Sequence, residues 1–243
     1  MMGRLLLASN STNPGKEYLS HLSAAIVDLF SGSTAIAFVP YALADLDAYS
    51  ATAERSFKSL GLNLRSIHRQ DDQAKAISQA DGVFIGGGNT FRLLDNLVRR
   101  ELVEPIQRLV REGGSYMGTS AGSNLACPTI RTTNDMPIVQ PATFDSLNLV
   151  TFQINPHYLE RDPDTAHGGE TRRQRLAEFH EENTAPVIAL PEGSWLEVNK
   201  SVILGGPHRA LLFRRGFEPT ELNPGELSPG YLRPTASPSV RKL

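Results

Sequence analysis

The stretch Ser115-Tyr116-Met117-Gly118-Thr119-Ser120-Ala121-Gly122-Ser123-Asn124-Leu125-Ala126 decides how the rest of the chain is read. Its centre, Gly118 to Gly122, fits G-x-S-x-G, the pattern of a sharp turn from strand into helix with a serine at its tip. Such a turn strains the serine backbone, so the residues two before and two after must be small to let the backbones pass. Ser115–Met117 reads as the strand that enters it, and the small residues from Ala121 to Ala126 can open a helix. The free N–H groups and positive dipole end of that helix then face the serine, where an oxyanion could develop. The alternative is a Gly/Ser turn that merely joins strand to helix.

Upstream, short apolar runs alternate with longer stretches of helical periodicity. Leu5–Ala8, Ala35–Val39, Leu62–Ile67 and Val83–Ile85 read as buried strands bounded by Gly, Pro, Asn or Ser. Glu17–Phe30, Asp45–Leu60, Asp71–Gln79, Thr90–Arg99 and Glu104–Arg111 read as helices; in the first, Leu19, Leu22, Ile26, Leu29 and Phe30 share a face. This alternation predicts an α/β fold, a mainly parallel sheet with helices on both faces joined by right-handed crossovers. One domain is expected over residues 1–216. From Glu218 on, prolines at 219, 224, 229, 234 and 238 predict a Pro-rich tail, 217–243, that forms neither helix nor ladder.

Bulk properties narrow the function. The 243 residues, 40% hydrophobic and 21% charged, suit a soluble chain that hides roughly three quarters of its unfolded surface. Net charge is -2 with no long run of one sign, so there is no basic face to neutralise phosphates, and nucleic acid is not an expected partner. The single Cys127 excludes an internal disulfide framework. The six histidines form no short ligand cluster, so neither metal nor other cofactor is expected. The apolar run Leu5–Ala8 is shorter than a secretory core, and nothing approaches the ~20 apolar residues of a membrane helix. A cytoplasmic location without membrane contact follows as the expectation.

A serine hydroxyl needs a base. His157 follows the apolar stretch Leu149–Ile154, at an expected strand end, where parallel α/β sheets gather their sites. His68 also follows a strand-like run and competes with it. Two carboxylates could orient the imidazole: Asp135, in the polar loop Thr132–Met136, and Glu192, just after the strand-like Val187–Leu190. Each could equally be a turn carboxylate capping backbone N–H groups. Gly86-Gly87-Gly88-Asn89-Thr90 has neither P-loop nor dinucleotide spacing. Its bare backbone better suits an oxyanion hole, with the Gly88 N–H beside that of Ala121 and Asn89 close to substrate.

These motifs together resemble peptidase E, the aspartyl dipeptidases. The resemblance rests on Ser120 to Ile138, on Asn10 to Gly15, Gly86 to Phe91, Gln153 to His157 and Leu190 to Gly193, and spans residues 4 to about 214 in constant order. It implies a fold akin to class I glutamine amidotransferases, a flavodoxin-like three-layer sandwich, and metal-free hydrolysis of dipeptides with an N-terminal aspartate. Ser120 is then the nucleophile and His157 the base. Ser–His–Glu order favours Glu192 as the acid, leaving Asp135 to shape the pocket. Arg172, in Gly169-Glu170-Thr171-Arg172, matches a stretch of the family and is the expected partner of the aspartyl carboxylate by bidentate contact; an exposed helix arginine is the alternative. Asp135 or Glu170 could accept the substrate's α-amino group. A small Asp-Xaa peptide is thus the expected partner, and a homodimer is compatible with the sequence. Tyr158 to Gly168 departs from the bacterial members and is one residue longer, and the Pro-rich tail has no counterpart. Rival readings are a relative acting on another aspartyl linkage, such as that of cyanophycin, a serine esterase or amidase, and a non-catalytic binding protein.

Overall fold

The computed structural model describes residues 2–160 and 169–232. Tyr158 to Gly168, singled out above, therefore lies largely outside the described residues. Five strands form the parallel centre of an eight-stranded sheet: β1 (Leu5–Ala8), β2 (Ile36–Val39), β3 (Leu64–Ser66), β4 (Gly82–Ile85) and β5 (Ser115–Thr119). Their helices are α1 (Ser23–Leu29), α2 (Leu46–Ser59), α3 (Gln73–Ser78), α4 (Thr90–Arg99), α5 (Val103–Arg111) and α6 (Ala121–Ala126). The starts of α2, α3 and α4 are fixed by Asp45, Asp72 and Asn89, whose side chains accept from Ala48, Lys75 and Arg92 N–H.

Both faces of this sheet are covered. Leu6, Phe38, Phe84 and Met117 pack with Ile26, Leu29, Ala53 and Phe57 of α1 and α2. On the other face Leu5, Leu7, Val83 and Ile85 pack with Leu93, Leu97, Ile106 and Leu125 of α4 to α6. Alternate residues of single strands thus go to opposite cores, as the pleat requires.

Beyond α6 the chain builds what the alternation did not foresee. β6 (Gln153–Asn155) and β7 (Val187–Ala189) are parallel, and β10 (Ala210–Phe213) and β11 (Thr220–Leu222) extend them antiparallel in a separate four-stranded sheet, order β11-β10-β7-β6. Ile154, Ile188 and Leu212 join the α4–α6 core. Val187, Ala189 and Phe213 face Leu176 of α7 (Arg172–Glu182), whose start is held by a Thr171/Gln174 capping box. β8 (Trp195–Val198), β9 (Val202–Gly205) and β12 (Gly225–Leu227) add three antiparallel strands to the large sheet, order β12-β9-β8-β1-β5-β4-β2-β3.

The expected tail is corrected by this topology. Residues 220–227 lie in ladders, with β11 on β10 and β12 on β9, and Pro229–Leu232 form a 3-10 turn. Pro219 and Pro224 stand just before the two strands and so remove no ladder donor from within them. Prolines 234 and 238 lie outside the described residues.

Candidate active site

β1, β5 and β4 are neighbours in the parallel sheet, and their C-terminal ends deliver Ser9-Asn10, Ser120 and Gly86–Asn89 to one place. Ser120 sits between β5 and α6 at φ 51°, ψ -108°, a conformation held because everything around it is fixed. Its N–H donates to Ala8 O at 2.9 Å, and the Tyr116 hydroxyl donates to Gly122 O at 2.6 Å beneath the turn. A Cβ on Gly122 would run into the Ile85 carbonyl, which is why the position two after the serine carries none.

The parallel pair β6–β7 supplies the partners. Asn155 and Ala189 are register neighbours, and His157 and Glu192 follow them by two and three residues. His157 Nε2 lies 2.9 Å from Ser120 Oγ, and Nδ1 lies 2.7 Å from Glu192 Oε1. A carboxylate only accepts, so Nδ1 carries the proton and Nε2 is free to accept from the Ser120 hydroxyl. The small sheet is tied to the elbow by the Asn124 amide, which donates to Ile154 O at 2.7 Å.

Ser9 and Asn10, neither assigned a role from the sequence, hold this chain of groups in line. The buried Ser9 hydroxyl donates to Leu190 O and accepts from His157 N–H, both at 2.8 Å. Asn10 Oδ1 accepts from Gly193 N–H at 2.8 Å, fixing the turn that carries Glu192. Ser9 directly follows β1, so a polar residue at a strand's C-terminal end was the signal that could have found it.

Asp135 is not in this chain. Its Oδ2 accepts from the Thr90 N–H at 2.7 Å and the Thr90 hydroxyl at 2.5 Å, at the start of α4. It nevertheless lines the cleft that holds Ser120 and His157. Asn89, expected against substrate, is engaged at both ends of its amide: Oδ1 caps α4 and Nδ2 donates to Met136 O at 2.8 Å. Its side chain is a brace. Glu170 lies on the exposed approach to α7, 3.5 Å from Arg175 Nε, and does not line the cleft. Arg172 is half-buried and donates to Pro156 O at 3.2 Å, next to His157. Burial, aided by the charge of Arg175, lowers its guanidinium pKa, while Tyr158 and Glu192 act the other way. His68 is remote from the elbow, bonded to Ser66 at 2.6 Å and Asp47 at 3.2 Å.

The oxyanion side is backbone. Gly88 has φ 135°, open to glycine alone, and a Cβ there would approach Ala42 O to 2.7 Å. The N–H groups of Gly88 and Ala121 have no acceptor among the described residues. Tyr49, buried and pushed up to a pKa of about 12 by that burial, touches the Gly86–Gly87 backbone with its hydroxyl and supports this loop. Cys127 is buried, its thiol pushed up to about 12, and belongs to the core. Among the described residues no group of His, Cys, Asp and Glu could hold a metal, and no helix is long and apolar enough to cross a membrane.

Comparison with known proteins identifies the family and the fold. The profile of peptidase family S51 matches residues 5–204. A Streptomyces coelicolor protein named Peptidase E is 51% identical over 222 residues, 91% of each chain. An Escherichia coli protein of the same name is 46% identical over 227 residues, 91% of this chain and 98% of its own. Two solved structures share the fold. A peptidase from an acI-B1 actinobacterium has a TM-score of 0.67 at 17% identity, covering 94% of this chain and 97% of its own. A Listeria monocytogenes chain has a TM-score of 0.64 at 23% identity, covering 86% and 100%.

Proposed function

Since this chain belongs to peptidase family S51, we propose that it is a serine dipeptidase that releases N-terminal aspartate from Asp-Xaa dipeptides in the cytoplasm. The observation that carries the reading is the unbroken line Ser120 Oγ, His157 Nε2, His157 Nδ1, Glu192 Oε1, with its 2.9 and 2.7 Å links.

The Ser120 oxygen attacks the aspartyl carbonyl carbon as its proton passes to His157 Nε2. The electron pair pushed onto the carbonyl oxygen is met by the Gly88 and Ala121 N–H groups at the positive end of α6. Glu192 stabilises the imidazolium and keeps its ring turned toward the serine. His157 then gives the proton to the leaving nitrogen, the C–N bond breaks, and an aspartyl ester on Ser120 remains. Water, deprotonated by the same nitrogen, attacks the ester and frees aspartate and the serine hydroxyl. Arg172 is suited to the aspartyl carboxylate, since a buried unpaired charge costs several kcal/mol. Asp135, whose Oδ2 is taken by Thr90, offers Oδ1 to the α-ammonium group.

The test is hydrolysis of Asp-Leu beside Glu-Leu, Asn-Leu and N-acetyl-Asp-Leu, by wild type and Ser120→Ala. Cleavage of Asp-Leu alone, abolished by the substitution, is the expected result. Equal cleavage of Asn-Leu or of the acetylated peptide would sink the aspartyl and amino-terminal requirements while leaving the serine chemistry standing.

A further inference from the structure

The cleft over Ser120, about 880 Å³, is far larger than an aspartyl group needs. One wall is the start of α2 and the segment before it, Leu43, Ala44, Ala48, Tyr49 and Thr52, joined by Tyr18 from the loop after β1. Leu43 is 39% exposed, a large apolar side chain turned to open space beside the nucleophile. Among the described residues that line the cleft, the charged side chains are two carboxylates, Asp45 and Asp135, and there is no lysine or arginine.

An aspartyl carboxylate placed on this wall would meet apolar carbon, the hydroxyls of Tyr18, Tyr49 and Thr52 and a like charge, with no cation to pair it. The aspartyl half of the substrate is then placed away from this wall, toward Arg172, which bonds Pro156 O beside His157 and does not line the cleft. That leaves the α2 wall to the leaving residue, the half on which His157 must act as acid. We infer that Tyr18, Leu43, Ala48 and Thr52, with Asp45 at the rim, form the subsite for the leaving residue's side chain, selecting apolar and cationic side chains and rejecting anionic ones. This rests on the dipeptidase reading and adds to it which Asp-Xaa peptides are taken. The terminal carboxylate is common to every dipeptide and cancels in any comparison between them.

Asp45 allows the charge to be tested apart from the fold. Its Oδ1 accepts from Ala48 N–H at 2.9 Å as the cap of α2. Asparagine caps a helix as well as aspartate does, so Asp45→Asn removes the charge and keeps the cap. The measurement is kcat/KM for Asp-Leu, Asp-Lys and Asp-Glu at fixed pH and low salt, by wild type, Asp45→Asn and Ala48→Trp. Wild type is expected to prefer Asp-Leu and Asp-Lys over Asp-Glu. Asp45→Asn should lower the Asp-Lys to Asp-Glu ratio by about three- to tenfold, a preference that salt also erodes. Ala48→Trp, at an exposed helix position, should reduce Asp-Leu cleavage at least tenfold more than Asp-Gly cleavage. A wild type that cuts Asp-Leu, with the Lys/Glu ratio unmoved in Asp45→Asn, overturns the subsite and leaves the dipeptidase reading intact. A wild type that cuts no Asp-Xaa peptide takes both down.

Discussion

Glu192→Gln is the substitution that separates the two carboxylates. Glutamine keeps the shape and can still accept from His157 Nδ1–H, so only the charge is lost. With Nδ1 and Oε1 2.7 Å apart, the charge centres of imidazolium and carboxylate lie ~4 Å apart, worth ~4 kcal/mol near a protein surface and ~1 kcal/mol in bulk water. The side chains are 38% and 49% exposed, so solvent screening brings the value to about 2–3 kcal/mol. Because imidazolium forms only as Ser120 attacks, that energy is lost from the transition state alone. A fall in kcat of roughly 30- to 150-fold is expected, with KM little changed. Asp135→Asn should do the reverse, raising KM about tenfold while kcat stays within about threefold, since it weakens the hold on the α-ammonium group. Steady-state kinetics on Asp-Leu for both variants is the assay. If Asp135→Asn collapses kcat and Glu192→Gln does not, the geometry has been misread.

Two more outcomes follow from the same bonds. Ser9→Ala orphans the His157 N–H in a buried position, which should cost about 1–3 kcal/mol, lower Tm by about 2–10 °C and cut kcat about tenfold or more through a misplaced imidazole. Ser66→Ala, equally buried but remote, should lower Tm and spare kcat; a Ser9→Ala enzyme with full kcat would refute the positioning role. Asp81 accepts from Thr34 N–H, Ala35 N–H and the Thr34 hydroxyl, and these bonds depress its pKa, the Thr34 N–H foremost. A depressed carboxyl contributes stability above its unfolded value of about 3.9 and loses it as pH falls through the folded value. The stability gap between wild type and Asp81→Asn should thus be present in urea melts at pH 6 and shrink as pH falls below about 4; a gap that widens in acid contradicts it.

The parts of this molecule that announce themselves in sequence are those where one local rule suffices. Leu5–Ala8, Thr90–Arg99 and Ala121–Ala126 are bounded as read, because apolar runs, a capping asparagine and the elbow's small residues act within a few positions. Other limits shift by a residue or two, and Glu17 to Leu22 precede α1, Ser20–Leu22 as a 3-10 turn. The second sheet is different. β6 and β7 are three residues each, and what joins them is pairing across the chain with no local trace. His157 was therefore legible as a strand-end histidine, but the residues alone left Asp135 and Glu192 open and only the family's chain order favoured Glu192: their meeting depends on Asn155 and Ala189 lying side by side. Asn89 misled because a helix cap and a substrate amide look alike until its partners are seen. The prolines misled because their spacing suggested a continuous break, whereas Pro219 and Pro224 stand just before strands and Pro229 opens a 3-10 turn.

The placement of β11 and β12 sets the timing of biogenesis. These neighbours in the chain go to different sheets, one closing against β10 and the other against β9. Until residues 220–227 have cleared the ribosome, β10 and β9 each leave a row of donors and acceptors open to a second nascent copy; the three-residue β11 and β12 then take over as short edges. The nucleophile, base and acid are all synthesised well before that point. The site's chemistry is thus encoded early, while the short strands that blunt one edge of each sheet follow it in the chain.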